Sequence, residues 1–231
     1  MFDLTDEELS NLSDEELDEI NAKTIFVRDA MPGEWLDYAD ELMDAAEILW
    51  EKKDHGRRLY VEGFGENTDL EKTKEPKIIS SISRTYILLA GFSLENLIKG
   101  LLVAQNPSHI TSGKLSGDLK SHRILNLVRK VKNFPLSKEE KNVCKIIQDA
   151  LPYWGRYPIP LEFNGVLPEI AINADLRKVI LELHERLSFR IYQLIRDGWE
   201  SGVGPGISEF RSSKYGDFEF NTPSENTEDD A

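Results

Sequence analysis

YILLAGFSLENLIKGLLVA, residues 86–104, is the most apolar stretch of the chain, and its reading decides the fold. Apolar residues occupy nearly every helical face, the pattern of a helix surrounded by others rather than lying on a surface. Glu95, Asn96 and Lys99 interrupt it in the middle. Centring such groups in a bilayer costs several kcal/mol. The segment therefore reads as the buried core of a helix over 77–105, and no membrane contact is expected. Glu95 and Lys99 stand four residues apart in the orientation that favours an ion pair. Buried polar groups need partners, so Glu95, Asn96 and Lys99 are expected as a structural polar core. Asn96 has two open roles, a hydrogen bond across the helices or a substrate contact.

Helical signals continue on both sides. Pro32 suits a first helical turn. Trp35, Ala39, Leu42, Met43, Ala46, Leu49 and Trp50 recur at helical spacing, predicting an amphipathic helix over 32–53. Residues 54–76 read as a long connection. Ser121 is expected to cap a basic amphipathic helix to about Asn133, with Ile124, Leu127, Val128 and Val131 inward. Ser137 and Glu140 form a capping-box pattern that opens a helix ending near Pro152. Pro158, Pro160 and Pro168 keep 154–173 out of a helix. Leu176, Val179, Ile180, Leu183, Leu187, Ile191 and Leu194 make one stripe of a last long helix, 175–199. From about Ser208 the chain is polar and expected to be poorly ordered. The expected fold is all-α, an antiparallel helical bundle of about five long helices. An acidic helical extension (1–30) precedes the bundle (31–201), and a flexible acidic tail (202–231) follows it.

Leu-x-Asp-Glu-Glu-Leu occurs twice in that extension, at residues 4–9 and 12–17. Thr5 and Ser13 each stand three residues before a Glu, predicting two short acidic helical turns. Their role is either a docking or masking segment or a solvated face.

Charge is segregated. The net charge is −14 over 231 residues, 40% of them hydrophobic and 30% charged. Residues 1–20 hold nine acids and residues 217–231 hold six, neither with a Lys or Arg. The body, 21–216, is left at +1. The acidic total thus leaves room for a nucleic-acid site on the body. Its best candidate is 114–133, where Lys114, Lys120, Arg123, Arg129, Lys130 and Lys132 face one acid, Asp118. The alternative is a solvated helix face. The tails are expected to screen this strip or to dock a protein partner.

Cys144 is the only cysteine, and His55, His109, His122 and His184 lack metal-ligand spacing. No disulfide, structural metal or cofactor is expected, and a reducing, cytoplasmic setting fits. The N-terminus has neither the basic nor the apolar region of a signal peptide. Nucleotide-cradling Gly-rich loops and Gly-x-Ser-x-Gly are absent from the sequence.

Two segments together resemble a known family. AGFSLENLIKGLL (90–102) and WGRYP (154–158) are similar to the HEPN superfamily of prokaryotic helical domains. Glu95 and Lys99 match its Glu-x-x-x-Lys core motif, and Arg156-Tyr157-Pro158 matches a loop ahead of the family's final helix. The resemblance spans roughly 35–199. It implies a homodimer and a role in defence or toxin-type systems, either as a metal-independent endoribonuclease or as a non-catalytic binding module. Nuclease members carry Arg-x(4–6)-His on the final helix, and Arg177 and His184 fit that spacing. Seven residues at about 100° each return to one helical face, here a shoulder of the apolar stripe. A His there could move the 2′-OH proton and an Arg could neutralise the phosphorane. The alternative is that both are ordinary boundary residues. Lys178 follows Arg177, where the resemblance leads one to expect Asn, Asp or His. Arg156 and Tyr157 could stack bases or clamp a phosphate, or merely pack the loop.

Overall fold

A computed structural model describes residues 11–52, 57–60, 77–80, 82–111, 113–152, 170–203 and 208–209. The fold is mostly helical, as the periodicity predicts. Helix α1, Asp14–Asp29, opens at Ser13, whose hydroxyl accepts from Glu16 N while Glu16 Oε2 accepts from Ser13 N at 2.9 Å. The predicted capping box forms, but the helix runs on for 16 residues, since no Gly or Pro interrupts it before Pro32. Its end enters the core through Val27, and Ala30 and Met31 follow it there, so the extension is packed onto the body. The first Leu-x-Asp-Glu-Glu-Leu and Thr5 lie outside the described residues.

Pro32 starts helix α2, Pro32–Glu51, which buries Leu36, Ala39, Met43 and Ala46. The next segments depart from expectation. Strand β1, Arg57–Tyr60, pairs antiparallel with β2, Lys77–Ser80. The central helix therefore starts at Ser83, not at 77. Ile78 and Ile79 are β-branched residues that favour extended backbone, and pairing with β1 holds them there.

Helix α3, Ser83–Gln105, is the hub and buries 16 of its 23 residues. By length and composition it could cross a membrane, yet 78% of its apolar window is buried inside the protein. It packs against α2 and, farther along the chain, against three further helices. Two glycines permit the closest approaches. A Cβ at Gly100 would come within 2.7 Å of Trp35 Cβ, and one at Gly91 within 2.7 Å of Ile147 Cγ2.

The expected basic helix is corrected. After a short β3–β4 hairpin, Ile110–Thr111 with Lys114–Leu115, the chain makes a single 3₁₀ turn, Gly117–Lys120. Helix α4 is then only five residues, Ile124–Val128. Ser121 Oγ accepts from Arg123 N at 3.1 Å, a local turn rather than a helix cap. At the far end the Gln105 amide bonds both the N–H and the C=O of Lys132, each at 2.8 Å, and Asn133 turns left-handed at φ 56°. Those bonds withdraw Lys132 from any helical ladder. The apolar face is nonetheless as read: Ile124, Leu127, Val128 and Val131 are buried.

Ser137 and Glu140 form their capping box at the start of helix α5, Lys138–Ala150. Asn173 Oδ1 accepts from Leu176 N at 2.8 Å and opens helix α6, Ala174–Ile195. The last helix stops short of 199 because Gly198 adopts φ 103°. Strand β5, Trp199–Glu200, then pairs with β6, Ser208–Glu209, so the start of the polar tail is partnered backbone. Among the described residues there are five helices of 13 to 23 residues, with α1 taking the place of the expected basic one.

Candidate functional site

The Arg177 and His184 pair comes together on one side of α6, facing α2. Arg177 Nε lies 3.1 and 3.0 Å from the two carboxylate oxygens of Glu47, and its Nη2 also bonds Glu47. The guanidinium stacks over Trp50, 5.2 Å from the ring centre. Tyr86 donates to Glu47 Oε1 at 2.8 Å. Burial, then the Glu47 carboxylate, pushes the Tyr86 phenol far above its ordinary range, so it remains a donor. The hydrogen bond to Glu47 likewise raises the Arg177 pKa.

One heptad along, His184 Nε2 lies 3.4 Å from Asp40 Oδ1. As α2 advances from 40 to 47, α6 retreats from 184 to 177. The two helices therefore run antiparallel with charged rungs seven residues apart. His184 is 6% exposed, which corrects the expected shoulder position. The pair meets carboxylates of its own chain, and the imidazole has almost no contact with solvent.

A second cluster lies on α3. Lys99 Nζ donates to Glu95 Oε1 at 2.7 Å, and His122 Nδ1 stands 2.9 Å from the same oxygen. Glu95 and Lys99 are 5% and 7% exposed, as a polar core requires, whereas the His122 side chain is 74% exposed. Asn96 departs from this cluster. Its amide donates to Phe92 O at 2.8 Å and lines a shallow cleft with Asp29, Glu34, Trp35 and Tyr38. His122 is the residue that sequence reasoning missed. It stands 27 positions from Glu95 in an irregular segment, where no periodicity joins them.

No family model, curated protein or solved structure matches the chain.

The six cations of the expected basic strip lie instead on a hairpin, on turns and at the ends of one short helix. Lys114, Lys120, Arg123, Arg129, Lys130 and Lys132 are all exposed. Among the described residues, only Lys130 has a carboxylate partner, Asp118 at 2.6 Å. That hydrogen bond holds the Asp118 carboxyl below its usual range. His122 lies within the strip, between Lys120 and Arg123. The described residues contain no cluster of His, Cys, Asp and Glu able to hold a metal ion. Arg156 and Tyr157 lie outside the described residues.

Proposed function

We propose that this chain is an HEPN-like antiparallel bundle that acts on RNA as a non-catalytic binding module, through the strip formed by Lys114, Lys120, Arg123, Arg129, Lys130 and Lys132. The observation that carries this reading is the exposure of all six cations, five of them without a carboxylate partner among the described residues. Unpaired exposed cations release condensed counterions when they meet phosphates, which supplies most of the affinity for a nucleic-acid backbone. Acidic tails at 1–20 and 217–231 screen the strip or dock a protein partner in a cytoplasmic setting. A homodimer through α6 is supported by exposed Phe189, which with Val179 lines an open cleft of about 750 Å³ beside α5.

Cleavage by Arg177 and His184 is the second reading, and the resemblance to nuclease members favours it. Against it stand the carboxylates that both residues already face and the burial of His184. Incubating the purified protein with labelled single-stranded RNA in EDTA separates the two. Retention of intact RNA on a filter supports the binding module. Metal-free cleavage that disappears in His184→Ala restores the nuclease.

A further inference from the structure

The Glu95–Lys99–His122 cluster has features that a purely structural clip does not need. An ion pair with an exposed member stabilises little, and the His122 side chain is 74% exposed. The carboxylate beneath it is nonetheless costly to keep. Glu95 sits on the most apolar helix, 5% exposed, and its Oε2 is buried without a hydrogen-bond partner among the described residues. A buried acceptor without a donor is unfavourable and rare, and such groups call for an explanation at the site that keeps them.

The chemistry of the three groups supplies one. A carboxylate only accepts, so His122 Nδ1 must be the donor in its 2.9 Å contact with Glu95. That fixes the tautomer and leaves Nε2 as the ring's outward-acting atom. The Lys99 ammonium donates to the same oxygen and offsets the carboxylate's charge. In the sequence the imidazole is flanked by exposed Lys120 and Arg123. The chain here is not helical: Ser121 Oγ accepts from Arg123 N, and residue 120 ends a 3₁₀ turn. The expected helix is missing at the place where the ring is anchored to α3.

We propose that His122, anchored to the buried Glu95–Lys99 pair, is a phosphodiester-binding site at the centre of the basic strip, with Lys120 and Arg123 completing it. Glu95 is its positioning residue and touches no RNA. In the imidazolium form, with Nδ1–H held on Glu95, Nε2–H donates to a phosphate oxygen while the two flanking cations neutralise its charge. This rests on the RNA-binding reading above and adds a directional contact to what would otherwise be a diffuse electrostatic surface.

The test is fluorescence anisotropy with a labelled single-stranded RNA on wild type, His122→Ala, Glu95→Gln and the double variant, across a salt series. Loss of one charge-assisted contact should weaken binding by about tenfold and flatten the salt slope by about 0.7. Glu95→Gln should lose about as much as His122→Ala, and the double variant should be no worse than either, because the two act as a unit. On the wild-type protein, the His122 ring proton resonances should shift as the oligonucleotide is added, a readout independent of how well the variants fold. Wild-type binding with unchanged affinity in His122→Ala and an unmoved His122 resonance overturns the proposal and leaves the RNA-binding strip standing. No binding of RNA by the wild type removes both. Binding of an acidic peptide in place of RNA assigns the strip to a protein partner and likewise overturns it.

Discussion

Arg177 on α6 grips both carboxylate oxygens of Glu47 on α2 while stacking over Trp50, and Tyr86 on α3 donates to the same carboxylate. Three helices thus meet at Glu47. Removing it strands a guanidinium and a buried phenol together. Glu47→Ala is expected to cost roughly 2–4 kcal/mol in urea denaturation, more than Arg177→Ala at roughly 1.5–3. Arg177→Lys should recover only part of that, since the fork that reaches both oxygens is lost. Variants that melt like the wild type would show that the seam is not structural.

His184→Ala should destabilise by roughly 1–3 kcal/mol, since it opens space in a buried seam and deprives Asp40 of its neighbour. RNA binding should be unchanged in that variant at temperatures where it is folded. Weakened binding with an unchanged melting temperature would place His184 at the RNA.

Gly100→Ala should destabilise more than Gly91→Ala. Both added methyls meet an atom at 2.7 Å. At Gly100 that atom is Trp35 Cβ, fixed to the α2 backbone, while at Gly91 it is Ile147 Cγ2, which a side-chain rotation can move. Overpacking costs about 1–3 kcal/mol, against a helix-propensity gain of about 1. Thermal melts in the reverse order would mean that α2 yields more easily than Ile147.

The contrast between local and distant partners explains how far the sequence could be read. Ser13 with Glu16 and Ser137 with Glu140 cap their helices over three residues, and both were visible as patterns. The buried face of 124–131 was visible too, because burial follows side-chain spacing even where the helix is short. Its length was not, since the chain just beyond it is held at Lys132 by the Gln105 amide, 27 residues away. Glu47 lies 130 residues from Arg177, so the spacing from Arg177 to His184 could be seen in sequence while the carboxylates opposite them could not. Lys77–Ser80 read as helix because its apolar residues continue those of α3, and only pairing with β1 separates them.

Cys144 should resist a thiol reagent at about pH 8 in the native protein and react once it is unfolded. Burial, and then the nearby Glu140 charge, pushes its thiol up to about 12, so the reactive thiolate is scarce. Rapid labelling of the folded protein would contradict the closed packing of α5 against the core.

Burial lowers the His109 pKa below its ordinary 6.5, and His109 Nδ1 is 2.7 Å from Ser116 Oγ. The folded state therefore favours the neutral ring. The stability from His109 is fully present above 6.5 and is lost as pH falls through the lower folded value. His109→Gln should show a smaller loss of stability than wild type below that pH. Identical pH profiles would contradict the burial of the ring.

Ultraviolet cross-linking of the wild-type protein to single-stranded RNA, followed by mass spectrometry of the joined peptides, tests the central claim most directly. The basic strip predicts cross-links concentrated between Lys114 and Lys132, with His122 among the modified positions. Cross-links concentrated on α6 around Arg177 and His184, with the strip unmodified, would contradict it.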